Sequence, residues 1–106
     1  MDISVCLITY NKLPFLKRSI NSFVQSVDSA FKVQFLTWDN GSTDGTDEYL
    51  GSISVPDNVV HEHYSSDVNV GLNAYGLLAK HATGKIIVTM DDDIFKIAFS
   101  YADYRG

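Results

Sequence analysis

The sequence lacks the features that would mark a secreted or membrane-spanning chain. Its 106 residues include one cysteine, Cys6, so no internal disulfide can form and nothing indicates an oxidising compartment. No apolar run reaches the roughly 18 residues of a membrane span, and no basic segment precedes an apolar one as in a signal peptide. We therefore expect a cytoplasmic protein, with the cytoplasmic face of a membrane as the alternative.

Positive charge is also scarce. Eight Lys and Arg residues stand against 13 Asp and Glu residues, which gives a formal net charge of −5. Surfaces that bind nucleic acids hold phosphates with clustered cations, so we expect no nucleic-acid partner. For the same reason, a ligand that carries phosphate would need a metal cation to offset its charge.

The composition that remains is typical of an ordinary globular protein. The chain is 45% hydrophobic and 20% charged, and it contains only two prolines. These values exclude a disordered or collagen-like chain. Because a chain of this length has room for one hydrophobic core, we predict a single domain over residues 1–106.

Short apolar runs alternate with segments of helical periodicity along the whole chain. Strands are predicted at Ile3–Thr9, Val33–Trp38, Val59–Tyr64 and from Lys85 onward, and helices at Leu13–Val27, Thr46–Leu50 and Leu72–Ala82. Alternating strands and helices favour parallel pairing with right-handed crossovers. The predicted fold is therefore α/β: a Rossmann-like, three-layer α/β/α arrangement around a mainly parallel sheet of about four strands.

Several local patterns add detail to this prediction. Asp44 can cap the short second helix, and Gly84 suits the left-handed conformation that ends a helix. The run Ile86-Ile87-Val88 indicates a buried parallel strand. His61 and His63 alternate on the third strand, where an imidazole pair could bind a transition metal, although an exposed edge strand is the favoured interpretation.

Polar groups follow three of the predicted strands, as Thr9-Tyr10-Asn11, Asp39-Asn40-Gly41-Ser42 and Asp91-Asp92-Asp93. In a parallel sheet these strand ends lie at one edge, so the three segments are expected to converge on one cleft. A carboxylate such as Asp39 can accept the ring N–H of a nucleobase, while Asn40 and Ser42 can add hydrogen bonds. One part of the cleft is therefore predicted to bind a nucleobase.

The acidic run Asp91-Asp92-Asp93 predicts a metal site at the other part of the cleft. Three adjacent carboxylates repel one another unless a cation shares the site. Mg²⁺ or Mn²⁺ binds oxygen ligands and also ligates phosphate oxygens, so a diphosphate would fit beside it. For this run alone, a solvated acidic turn is the alternative.

Together these segments resemble a known family. Ser4–Asn11, Trp38–Thr46, Asn69-Val70-Gly71 and Asp91-Asp92-Asp93 look like the N-terminal half of a family 2 glycosyltransferase with the GT-A fold, over residues 2 to 95. The most specific part is the Asp-x-Gly-Ser-x-Asp-Gly-Thr loop that starts at Asp39. The resemblance implies an enzyme that uses Mn²⁺ or Mg²⁺ and a nucleotide-diphosphate sugar, most often a UDP-sugar, for inverting transfer to an acceptor hydroxyl.

The resemblance also implies roles for particular residues. Thr9, Tyr10 and Asn11 would line the base pocket, Asp39 would bind the base edge, and the acidic run would serve the ribose and the metal. The predicted nucleotide-sugar contacts are Thr9, Tyr10, Asn11, Asp39, Asn40, Ser42, Gly71, Asn73, Asp91 and Asp92, and the predicted metal ligands are Asp91 and Asp93. The metal would stabilise the diphosphate as it leaves.

The sequence departs from the family pattern in two ways. Where the family has Arg-Asn-x-Gly, this chain has Asn73-Ala74-Tyr75-Gly76 without an Arg, so Asn73 or Lys80 is expected to supply a weaker diphosphate contact. The acceptor-binding half and its general base would follow the acidic run and are absent from this sequence, so no catalytic residue is assigned. The alternative function is therefore a module that binds nucleotide and metal without transferring a sugar.

The last segment, from Phe95 to Gly106, is rich in Phe and Tyr and fits neither a helical nor a strand period. Such a segment can expose apolar surface, and self-association through it is a further expectation. The acceptor, whether glycan, lipid or protein, is not indicated by any residue.

Overall fold

The described part of the chain, residues 1–92 of a computed structural model, alternates strands and helices. The elements are β1 (Ile3–Thr9), α1 (Leu13–Ser26), β2 (Val33–Asp39), α2 (Thr46–Leu50), β3 (Val59–Ser65), α3 (Asn73–Ala79) and β4 (Ile86–Met90). The predicted order of elements is confirmed. The expectations for Asp93 and for the aromatic segment after it lie outside the described residues.

The strands form a parallel sheet in the order β3-β2-β1-β4 within residues 1–92. The last residues of three strands are in register, since Thr9 pairs with Asp39 and Asp39 with Ser65. On the other side of β1, Leu7 pairs with Met90, so the acidic run leaves β4 beside the end of β1. The carboxyl ends therefore share one edge, as predicted.

One face of the sheet is covered by α1 and α2. The three- and four-residue spacing of Leu16, Ile20 and Phe23 places them on one side of α1, where all three are buried against the sheet. The rings of Phe23 and Phe35 stack with their centroids 4.4 Å apart. This cluster is the main hydrophobic core, and Leu50 of α2 joins it.

The opposite face is covered by α3. Leu78 is buried against Cys6 and Leu36, with Ile8 and Trp38 packed around this smaller cluster. Helices on both faces make the predicted three-layer α/β/α arrangement, which is thereby confirmed. None of the helices within residues 1–92 has the length and apolar character needed to cross a bilayer.

β4 lies at one edge of the described sheet, and the prediction that Ile86-Ile87-Val88 is buried is wrong. Exposure alternates along the strand, and Ile87 is 52% exposed. Val88 and Met90 face the core under α1, whereas Ile87 points to the other face, where α3 packs over β1 and β2. The position of β4 in the sheet, and not its apolar composition, decides its burial.

The end of α3 also differs from expectation, because the helix stops at Ala79 and not near Ala82. Gly84 is not left-handed; the left-handed glycines of the described chain are Gly41, Gly45 and Gly71. Gly84 is instead pressed against β1, where its N–H donates to Ser4 Oγ at 2.8 Å. A glycine is needed there for close approach, and not for a helix end.

Asp44 joins the starts of two helices. Its Oδ1 accepts the backbone N–H of Thr46 at 3.2 Å, and its Oδ2 accepts the N–H of Leu13 at 3.0 Å. The N-cap of α2 is Gly45 and not Asp44 as predicted, so Asp44 binds the start of the helix from one residue further out. Burial raises the pKa of the Asp44 carboxyl, but the hydrogen bonds from Thr46 and Leu13 outweigh burial and hold that pKa below its ordinary value. The loop after β2 is thus tied to the start of α1.

A chain of hydrogen bonds links the two histidines of β3 to β2 and α2. Thr37 Oγ1 lies 2.9 Å from His61 Nε2 and 2.8 Å from His63 Nδ1, and His63 Nε2 lies 2.7 Å from Asp47 Oδ1. Because the Asp47 carboxylate only accepts, His63 Nε2 carries a proton; while His63 is neutral, Thr37 donates to Nδ1 and accepts from His61. β3 lies at an edge of the sheet that residues 1–92 form, as predicted, but both imidazoles are half-buried and occupied by protein partners.

The stability of the protein is expected to fall in mild acid because of His61. Burial lowers the pKa of His61 to about 4 from 6.5, helped by the charge of His63 and opposed by that of Glu62. Between these pH values the unfolded chain binds a proton that the folded chain does not, so the free energy of unfolding decreases as pH falls. Allowing for solvent screening, we expect a loss of about 1–2 kcal/mol from this group.

Urea denaturation at pH 7 and pH 4.5 measures this loss. The variant His61→Gln removes the titrating group, and His81→Gln, at an exposed position, is the matched control. The His61 variant should lose less stability between the two pH values than the wild type, while the His81 variant should match the wild type. An equal loss in all three proteins would contradict the role given to His61.

Candidate functional site

The polar strand ends line one cleft of about 360 Å³ at the carboxyl edge of the sheet. Thr9 and Tyr10 border it at the end of β1, Asn40 at the end of β2, and Asp91 and Asp92 at the end of β4. These residues are widely separated in the sequence and meet because the strands are parallel and in register. The predicted convergence is observed for these five residues, whereas Asp39 is not among the described residues that line the cleft and lies next to it, paired with Thr9.

Thr9 and Asp39 lie side by side on paired strands and are 1% and 2% exposed. The Thr9 hydroxyl is buried and has no hydrogen-bond partner among the described residues. Asp39 Oδ1 accepts the N–H of Ser42 at 3.2 Å, and its second oxygen accepts no hydrogen bond from residues 1–92. A buried polar atom without a partner costs about 1–3 kcal/mol, so a ligand that supplies the missing partners would be stabilised here.

Asn11 and Ser42 hold the loops after β1 and β2 together. The N–H of Asn11 donates to Ser42 Oγ at 2.9 Å, and Asn11 Oδ1 accepts the N–H of Thr43 at 2.8 Å. Asn11 adopts a left-handed conformation, with a φ of 50°, that brings these groups together. Neither Asn11 nor Ser42 is among the described residues that line the cleft.

Asn40 shapes the far wall of the cleft. Its Oδ1 accepts the Nε1–H of Trp38 at 3.1 Å and the N–H of Val70 at 3.2 Å, and its Nδ2 donates to the Gly71 carbonyl at 3.3 Å. The loop before α3 lies so close that a Cβ on Gly41 would be 2.9 Å from the Asp67 carbonyl oxygen. The Asn40 amide is therefore occupied by the protein, and its contribution is to position Gly71 at the cleft.

The described part of the acidic run supplies two carboxylates to the cleft. Asp91 is exposed and Asp92 is half-buried, and the Asp92 carbonyl accepts a hydrogen bond from Ser19 Oγ at 3.0 Å, which ties the run to α1. Within residues 1–92, no cluster of three or more His, Cys, Asp or Glu side chains could hold a metal. Carboxylate oxygens suit Mg²⁺ or Mn²⁺, which fill their remaining positions with water and phosphate oxygens, so the donor set fits such an ion.

Several cleft residues were not predicted as contacts from the sequence: Ile8, Lys12, Asn69, Leu72 and Tyr75. Burial raises the pKa of Tyr75, and the negative charges of Asp91 and Asp92 raise it further, so its hydroxyl keeps its proton. The sequence contains a pattern that could have indicated Tyr75, since it follows Leu72 by three residues and both therefore fall on one face of the predicted helix. Asn73, which was predicted, begins α3 on an exposed position outside the described lining.

Comparisons with known proteins agree on one family. The family model described as Glycosyl transferase family 2 matches residues 4–95. An uncharacterized glycosyltransferase of Mycoplasma genitalium is 32% identical over 99 residues, which cover 90% of this chain and 33% of that protein. The chain thus spans about a third of the length of the curated relative that it matches.

Solved structures share the fold. TarS of S. aureus, residues 1–349 in complex with UDP, superposes with a TM-score of 0.76 at 21% identity, covering 88% of this chain and 28% of that one. The complex of the same protein with UDP-GlcNAc gives the same TM-score. The mannosyltransferase PcManGT of Pyrobaculum calidifontis, in complex with GDP-Man and Mn²⁺, gives 0.71 at 22% identity, covering 86% of this chain and 27% of that one.

Proposed function

The chain belongs to glycosyl transferase family 2, and from that membership we propose that it is the donor-binding half of an inverting, metal-dependent glycosyltransferase. Its donor is a nucleotide-diphosphate sugar, with a UDP-sugar favoured, and the sugar passes to an acceptor hydroxyl. Solved structures with this fold include complexes with UDP-GlcNAc and with GDP-Man and Mn²⁺, which supports this class of donor.

The observation that carries the proposal is the buried, unpartnered hydroxyl of Thr9 beside the Asp39 carboxylate, whose second oxygen accepts no hydrogen bond from residues 1–92. Uracil offers a ring N–H flanked by two carbonyl oxygens, so the free Asp39 oxygen can accept that N–H while the Thr9 hydroxyl donates to a carbonyl. Tyr10, which is 46% exposed at the rim of the same cleft, offers an aromatic face for stacking.

The acidic run is proposed to bind the ribose and, through a metal ion, the diphosphate of the donor. Asp91 or Asp92 would accept hydrogen bonds from the ribose hydroxyls, and Asp91 together with Asp93, which lies outside the described residues, would hold Mn²⁺ or Mg²⁺. A cation held there would neutralise the diphosphate and would supply Lewis-acid assistance to the leaving group. The hydrogen bond from Ser19 fixes the backbone of this run, so the carboxylates are held at the cleft.

The second candidate is a module that binds nucleotide and metal without transferring a sugar. Attack by an acceptor hydroxyl needs a base to remove its proton. Among the described residues that line the cleft, Asp91 and Asp92 are the only carboxylates, and both are assigned to the donor. This lining favours donor binding over the complete reaction.

Isothermal titration calorimetry with UDP and GDP, each with and without Mn²⁺, tests the proposal. We expect UDP to bind, Mn²⁺ to strengthen its binding and GDP to bind more weakly. Absence of binding by both nucleotides would refute the proposal. A subsequent assay for hydrolysis or transfer of the donor sugar separates the two candidates, since binding without turnover favours the module.

Three further expectations stay predictions. The cytoplasmic location and the lack of a nucleic-acid partner rest on composition alone. Self-association through the aromatic segment falls on residues 95–106, outside the described residues. The acceptor, whether glycan, lipid or protein, is not assigned.

A further inference from the structure

A bound diphosphate needs positive charge and hydrogen-bond donors, and the cleft has few of either. Its acidic side is lined by Asp91 and Asp92, which can only accept hydrogen bonds when ionised. The sequence offered Asn73 and Lys80 as diphosphate contacts, but both are exposed positions outside the described lining of the cleft. The donors that face a diphosphate must therefore come from other residues.

Lys12 is the cationic side chain among the described residues that line the cleft. Its ammonium group forms no ion pair with a carboxylate of residues 1–92. Lys12 immediately precedes α1, whose first turn contains no acidic residue, so the partial positive charge of that helix end adds to the charge of Lys12. The Asp44 carboxylate accepts the N–H of Leu13, the residue after Lys12.

Tyr75 lines the same cleft from the opposite side of the sheet. It lies on α3 and packs against the cluster of Cys6, Leu36 and Leu78, so its ring is held in place. Its hydroxyl hydrogen bonds to no residue in the described part of the chain and remains a donor available to a ligand. α1 and α3 cover opposite faces of the sheet, which places Lys12 and Tyr75 on two different walls.

We propose that Lys12 and Tyr75 together position the donor's diphosphate, Lys12 through its charge and Tyr75 through its phenolic hydrogen. This proposal rests on the proposed function and assigns two side chains of this cleft to the diphosphate. Thr9 and Asp39 remain the proposed contacts of the base, and the acidic run remains the proposed metal site. Lys12 and Tyr75 are positioning residues, so their loss should act on the diphosphate and not on the base.

The test compares UDP with uridine, which lacks the diphosphate, by calorimetry in Mn²⁺ on the 106-residue chain. We expect Lys12→Gln and Tyr75→Phe each to weaken UDP binding about tenfold while uridine binding stays within about twofold of the wild type. UDP binding to the Lys12 variant should also depend less on salt concentration than binding to the wild type. Tyr75→Phe keeps the packed ring, so it removes only the hydroxyl.

Matched controls are Lys85→Gln and Tyr49→Phe, which change the same residue types outside the described lining of the cleft and should leave both affinities unchanged. Unchanged UDP affinity in the Lys12 and Tyr75 variants would overturn this proposal and leave the proposed function standing. An equal loss for uridine and UDP would also overturn it, because the contact would then be to the nucleoside or to the fold. A wild-type protein that binds neither UDP nor GDP would overturn the proposed function as well.

Discussion

Asp39→Asn is expected to weaken UDP binding by about 1–3 kcal/mol, with and without Mn²⁺. The substitution keeps the size of the side chain, and its amide oxygen can still accept the N–H of Ser42. The amide nitrogen would then face the ring N–H of the base, so two donors would meet where the wild type pairs a carboxylate with a donor. The loss is independent of metal because the base lies apart from the acidic run.

Calorimetry with uridine and UDP measures the effect, and Asp57→Asn on an exposed loop is the control for loss of one negative charge. We expect both ligands to lose affinity equally in the Asp39 variant, which distinguishes a base contact from a diphosphate contact. If UDP bound the Asp39 variant as tightly as the wild type, the base would have to be held by other residues.

The second large effect concerns stability. Gly84→Ala is expected to destabilise the fold by about 3 kcal/mol or more, because the new methyl group would overlap the backbone of a central strand. A Cβ on Gly84 would lie 2.4 Å from Ser4 N and 2.6 Å from Ile3 C. Those atoms belong to β1, which is hydrogen bonded to β2 on one side and β4 on the other, so they cannot move away easily.

Gly76→Ala supplies the matched control, because it adds the same methyl group to α3 where no heavy atom lies within 4 Å of the added Cβ. There the substitution should stabilise the protein by about 0.5–1 kcal/mol, since alanine favours a helix over glycine. Urea denaturation measures both variants. Similar stabilities for the Gly84 variant and the wild type would show that β1 and the residues before β4 are not packed this closely.

The order of the elements could be predicted because each is encoded locally. Leu16, Ile20 and Phe23 repeat at helical spacing, and the loop from Asp39 to Gly45 is dense in turn-forming residues. The exposure of Ile87 could not be predicted, because it depends on where β4 lies in the sheet and which strands α3 covers. The close packing of Gly84 against β1 could not be predicted for the same reason, since its close neighbour Ser4 is 80 residues away in the sequence.

The edge that carries the site was likewise predictable, because polar groups follow strand ends. Which of those groups face a ligand was not. The Asn40 amide is occupied by Trp38 of β2 and by Val70 and Gly71, and no local pattern encodes how closely the loop that holds Val70 and Gly71 approaches. Tyr75 was overlooked because its spacing equally fits a core position, and its ring does pack against the core.

The location of the nucleotide is tested most directly by amide chemical shifts of ¹⁵N-labelled protein titrated with UDP in Mg²⁺. We expect the largest changes at Thr9, Asp39, Gly71 and Asp91, which lie around one cleft or on its paired strand ends. Another cavity, of about 390 Å³ near Lys32 and Asn58, lies at the amino ends of β2 and β3 and should be unaffected. Changes confined to that opposite edge would contradict a nucleotide site at the carboxyl ends of the strands.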